Sequence, residues 1–160
     1  MNLVAHTRLN PAPDQAPSLF LSLTATERTK SRHWFVTTTG ERVFLQLPRG
    51  TVLRDGDLLQ AEPEATVAEP PIAPILLGIQ AQAEPVLTIT APTALELLQA
   101  AYHLGNRHVP LQIQPTYLRI SPDPVLEKLL HQRGLTVELG SHPFQPELGA
   151  YHSGHDHHQP

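Results

Sequence analysis

The chain has no cysteine. Disulfide frameworks, thiolate metal sites and cysteine nucleophiles are therefore excluded, and any metal must be held by nitrogen and oxygen ligands. Charge is scarce as well: Asp, Glu, Lys and Arg make up 16% of the 160 residues, with a formal net charge of −4. Nucleic-acid binding rests on clustered Lys and Arg, so this balance argues against a nucleic-acid partner. No segment approaches the roughly 18 uninterrupted apolar residues of a membrane span. The start, Met1-Asn2-Leu3-Val4-Ala5-His6, lacks a basic region followed by an apolar run. A cytoplasmic protein with no membrane partner is the expectation. Also missing are a His-Glu-x-x-His helix, a Gly-x-Ser-x-Gly elbow and a phosphate-cradling glycine loop. The acidic residues fall into no pairing the sequence reveals, so an enzyme is not expected.

What is present supports a folded chain, since 40% of residues are hydrophobic. Pro11, Pro13 and Pro17 suit an extended or looped entry over residues 1–17. The first strand candidate is 18–24. The run 33–39 is dense in aromatic and β-branched residues, and 41–47 alternates apolar and polar positions, which predicts a hairpin through Thr39-Gly40. Arg28, Lys30, Arg32 and His33 read as a solvated loop. A second hairpin pattern over 51–62 centres on Asp55-Gly56, where the glycine marks a tight turn rather than a cation loop. Pro63, Pro70, Pro71 and Pro74 then form a spacer. Residues 1–74 are expected to be a β-rich domain.

Beyond the spacer, 75–82 and 85–90 read as strands. Thr93-Ala94-Leu95-Glu96 has the form of a capping box, in which each side chain satisfies a free amide at a helix start. Ala94, Leu97, Leu98, Ala101 and Leu104 follow a helical stripe, and Gly105 stands where a left-handed residue ends a helix. Strands are predicted at 109–113 and 117–121. A second helix starts at Ser121-Pro122-Asp123-Pro124, with Val125, Leu126, Leu129 and Leu130 on its buried side and Gly134 at its end. Residues 135–139 close as a strand. The order is βαββαβ, the split βαβ or ferredoxin-like arrangement. The expected architecture is thus α+β: the β-rich domain, a ferredoxin-like domain over 75–142, and a flexible, disordered His-rich tail over 143–160.

Histidine is the chemical signal, because imidazole is the commonest protein ligand for metals. His103 and His108 flank Gly105-Asn106 between the first helix and the following strand. His103 shares a helical face with Glu96 and Gln99 and is expected to be exposed. His152, His155, His157 and His158 crowd the tail, where Asp156 adds an oxygen. A hydrogen-bonded structural role stays open for His108, and a polar appendage stays open for the tail. Imidazole nitrogen suits nickel, copper and zinc. One copy of His108 is too few ligands for a tight site, whereas a two-fold dimer brings two copies to one axis.

Ala101-Tyr102-His103-Leu104-Gly105-Asn106-Arg107-His108-Val109-Pro110-Leu111-Gln112 resembles the signature run of the UreE family, the nickel metallochaperones of urease maturation. Leu47-Pro48-Arg49-Gly50 with Leu53-Arg54-Asp55-Gly56-Asp57 resembles that family's amino-terminal domain. Pro143-Phe144-Gln145-Pro146-Glu147 with Gly149-Ala150-Tyr151 resembles the segment after its last strand. The resemblance implies a partner-binding β-rich domain and a ferredoxin-like metal-binding domain. It also implies a homodimer with Ni2+ held on the two-fold axis by His108 of each subunit, with His103 as a second, auxiliary histidine. Zinc and copper would compete in vitro. Delivery would be to the urease apoprotein complex through the urease accessory GTPase. The chain departs from the pattern at Ser121-Pro122-Asp123-Pro124, where some members carry a His-x-Asp-x-His-like cluster. An alternative is a nickel or zinc store or buffer with no delivery role.

Overall fold

The computed structural model describes residues 2–9, 16–64 and 74–148, which form two compact units divided in the chain between Ala81 and Gln82. The first contains β1 (Asn2–Leu9), β2 (Leu19–Leu23), β3 (Arg32–Val36), β4 (Arg42–Gln46), β5 (Leu58–Pro63) and β6 (Ile75–Ala81). The second contains β7 (Ala83–Thr90), α1 (Ala94–Gly105), β8 (Gln112–Ile113), β9 (Leu118–Ile120), α2 (Pro124–Gln132) and β10 (Thr136–Pro143).

Six strands in the order β2-β6-β5-β1-β4-β3 make the first unit a single mixed sheet. The β1–β4 and β2–β6 pairs are parallel and the rest antiparallel. Side chains alternate across a strand, and every strand turns one face to a common core that includes Leu3, Leu21, Phe35, Leu45, Leu59 and Leu77. The sheet curls round that core: at its rims the Thr38 amide donates to the Phe20 carbonyl at 2.9 Å. The β3–β4 hairpin turns at Gly40, whose φ of +102° suits glycine.

Four readings of the sequence need correction in this unit. Residues 1–17 are not merely an entry: β1 lies inside the sheet between β5 and β4, with Leu3 and Ala5 fully buried. The prolines misled because all three fall beyond Leu9. Residues 51–54 form no strand, so Asp55-Gly56 is not a hairpin centre; it turns the chain into β5 instead, with Gly56 at φ +83°. Asp57 is held there, 7% exposed, accepting from the Arg54 amide at 2.7 Å and from the Arg8 guanidinium at 2.8 Å. Arg28 is not solvated; it is 4% exposed and its Nε donates to the Thr24 carbonyl at 3.4 Å. Finally, β6 pairs with β5 and β2 and sends Leu77 and Ile79 into the first core. The boundary expected between residues 74 and 75 therefore falls after Ala81.

In the second unit the sheet order is β10-β7-β9-β8, antiparallel at each pairing. Both helices cover the same face, since Leu97, Ala100 and Leu104 of α1 and Leu126 and Leu130 of α2 share one core with Leu87, Ile89, Leu118 and Ile120. This is the split βαβ order read from the sequence. The expected helix stripes are narrower than drawn. Ala94 and Leu98 are exposed, because the sheet covers the i, i+3, i+7 line through Leu97 and, beside it, part of Ala101, and Val125 is likewise exposed on α2. Nor does the tail begin at residue 143. Phe144 is 1% exposed, the Gln145 amide donates to Gln112 Oε1 at 3.1 Å and the Glu147 amide to the Leu111 carbonyl at 2.8 Å. Residues 143–148 thus belong to the second unit. His152, His155, His157 and His158 lie outside the described residues.

Candidate metal centre

The site is built on the end of α1. The helix starts as the sequence predicts: Thr93 Oγ1 accepts from the Glu96 amide at 3.3 Å, and Glu96 Oε2 accepts from the Thr93 amide at 3.0 Å. Two otherwise free amides are thereby satisfied. Leu97, Ala100 and Leu104 anchor the buried side.

Its far end differs from expectation. Gly105 is not left-handed; it is the last helical residue, and the chain makes one more turn before reversing. The His108 amide donates to the Gly105 carbonyl at 3.0 Å, and the Val109 amide to the Leu104 carbonyl at 3.4 Å. That pair of bonds is the Schellman motif, with its left-handed residue at His108. Among the described residues His108 is the one non-glycine with positive φ, at +56°. Val109 packs against the core that holds Leu104, the apolar contact that accompanies this motif. A side chain in this conformation costs roughly 1 kcal/mol relative to glycine. Histidine and asparagine tolerate it better than most residues.

His108 is exposed and His103, in the last turn of α1, is half-buried, its ring edge-on to Tyr102 with centroids 5.6 Å apart. The exposure expected for His103 is therefore partial. The negative end of the helix dipole favours a cation at this terminus. No group of three or more His, Asp or Glu side chains able to hold a metal is assembled among the described residues. The other described histidines are scattered: His6 lies 3.9 Å from Glu62, His131 lies 3.9 Å from Glu127, His33 stands edge-on to Phe35, and His142 is exposed on β10.

The sequence reading missed an apolar surface on the same helix. Leu95, Leu98 and Tyr102 are 65%, 66% and 67% exposed and fall at i, i+3 and i+7, one line along α1. The signal was available, because a helix with one buried line of three residues needs no second one. No described helix is long and apolar enough to cross a membrane.

Comparison with known proteins places these features. Residues 3–68 match the model of the UreE urease accessory protein N-terminal domain, and residues 84–160 that of the C-terminal domain. The chain is similar to the urease accessory protein UreE of Nostoc sp., 54% identical over 149 residues covering 93% of this chain and 95% of the relative. It is 52% identical to the protein of that name from Nostoc punctiforme, over 98% of this chain and 99% of the relative. With Thermosynechococcus vestitus the identity is 48%, over 92% and 96%. The run holding His103 and His108, the capped helix beneath it and the strand-rich unit before it all lie within these matches: the chain belongs to the UreE family of urease accessory proteins, and it is an accessory protein, not an enzyme.

Proposed function

We propose that the protein is a cytoplasmic nickel metallochaperone that works as a homodimer and delivers Ni2+ to the urease apoprotein with the help of the urease accessory GTPase. One observation carries this reading. An exposed histidine, His108, stands in a left-handed turn at the end of a helix whose outer face presents Leu95, Leu98 and Tyr102 to solvent. An apolar line of that kind favours pairing with a second copy. Two-fold pairing about α1 would bring two His108 imidazoles to one axis. Ni2+ is the cargo, and zinc and copper are competitors for the same nitrogen donors.

In this reading the second unit, from Gln82 onward, is a ferredoxin-like metal-binding domain, and the strand-rich first unit docks protein partners. His103 serves as an auxiliary ligand. His152, His155, His157 and His158 gather nickel. The bond from Glu147 to Leu111 supports their access, since it anchors the chain three residues after His108. The five residues from Glu147 to His152 span at most roughly 17 Å.

Isothermal titration of nickel into wild type, His108→Ala and a chain ended after Ala150 tests the site. Wild type should show one tight site per dimer, His108→Ala should lose it, and the shortened chain should keep it while losing weaker sites. A tight site surviving in His108→Ala refutes the axis. Delivery is tested by capture of the urease GTPase with nickel present; no complex favours a metal store.

A further inference from the structure

The two helices of the second unit end in the same way with different residues. At the end of α2 the Gly134 amide donates to the His131 carbonyl at 3.0 Å and the Leu135 amide to the Leu130 carbonyl at 3.2 Å, with Gly134 at φ +80°. At the end of α1 the equivalent bonds are 3.0 and 3.4 Å, with His108 at φ +56°. Leu104 and Val109 stand where Leu130 and Leu135 stand, and in each pair the helix residue is buried in the shared core. The backbone path is thus one that glycine takes in the same molecule.

We infer that the α1 clasp is a positioning device: Leu104 and Val109 close the turn and hold His108 left-handed, so that its imidazole is fixed at that point at the expense of stability. The inference rests on the reading of His108 as a nickel ligand. A strained backbone persists only where its surroundings over-determine it, and the two hydrogen bonds, with Val109 packed against the core that holds Leu104, are those surroundings. An imidazole set anywhere else on the exposed helix end would carry the same donor atoms without the strain. The left-handed residue contributes position, and Leu104 and Val109 are positioning residues for it.

Two variants of the full-length chain test this, both measured metal-free for thermal unfolding and then titrated with nickel at equal protein concentration. His108→Gly should unfold about 2–6 °C higher than wild type and lose the tight nickel site. The double variant Arg107→His, His108→Gly keeps the relaxed turn and returns an imidazole one residue earlier, at an exposed position. It should unfold at the temperature of His108→Gly and bind nickel at least ~10-fold more weakly than wild type. An unfolding temperature at or below wild type for His108→Gly overturns the strain. Wild-type nickel affinity in the double variant overturns the positioning and leaves the metal reading standing. A tight site retained in His108→Gly overturns the metal reading itself, even if the rise in unfolding temperature is seen.

Discussion

Leu98→Glu should split the proposed dimer while leaving each protomer folded. Leu98 is 66% exposed in the single chain, and complete burial of a leucine side chain is worth about 1.5–3 kcal/mol. About two thirds of that, roughly 1–2 kcal/mol, is available to an interface. Two-fold symmetry counts it twice, because the same residue enters from each protomer. The loss is then about 2–4 kcal/mol per dimer, a rise in dissociation constant of roughly 30- to 1000-fold. A carboxylate facing its own symmetry mate adds repulsion to that figure. Because Leu98 lies outside the protomer core and is mostly exposed, thermal unfolding of the monomer should move by no more than about 0.5 kcal/mol equivalent. Sedimentation equilibrium across a concentration series measures the first quantity and calorimetry at high dilution the second. A wild-type protein that sediments as a monomer throughout the micromolar range, or a Leu98→Glu dimer as tight as wild type, refutes pairing through α1.

Other substitutions probe the frame that carries the site. Thr93→Ala removes one half of the α1 capping box and should destabilise the second unit by about 1 kcal/mol in urea unfolding. Asp57→Ala leaves the Arg54 amide without its acceptor and frees Arg8, and should cost about 1–3 kcal/mol by the same assay. Glu41 has its carboxyl held below the ordinary 4.5 by hydrogen bonds from the Thr37 hydroxyl and then the Thr39 hydroxyl. A depressed carboxyl stabilises the fold above its unfolded value, and that contribution is lost as pH falls through the folded one. Thr37→Val should therefore move the Glu41 titration upward in a carboxyl-carbon NMR experiment; an unchanged midpoint refutes the assignment to Thr37.

Features set by neighbours in the chain were legible in the sequence. The Thr93–Glu96 box, the β3–β4 turn at Gly40 and the βαββαβ order of the second unit each depend on a few consecutive residues. What depended on distant partners was not. Nothing in the pattern of 75–81 says that β6 pairs with β5 and β2 rather than opening the second sheet. Nor does anything in 2–9 say that β1 is flanked by strands on both sides. The stripe drawn on α1 was too wide because periodicity gives the direction of a face, whereas its width is set by the element that covers it. The turn at His108 was misread because a glycine drew the left-handed assignment to itself. The spacing of Leu104 and Val109, which closes the clasp, was the better guide. The proposal of His103 and His108 as site residues came from the run that contains them, while the conformation that sets His108 apart is a property of the folded helix end alone.

The short bond between the Glu147 amide and the Leu111 carbonyl fixes more than the end of a sheet. A residue further along the chain can lie no further from that point than the length of chain between them. If the tail histidines collect nickel as proposed, an imidazole a few residues further on would meet the neighbourhood of His108 at an effective concentration on the order of millimolar. That figure does not depend on how much protein is present. Transfer of an ion between the two would then be first order in protein, and dilution that separates the protein from free metal would leave it untouched.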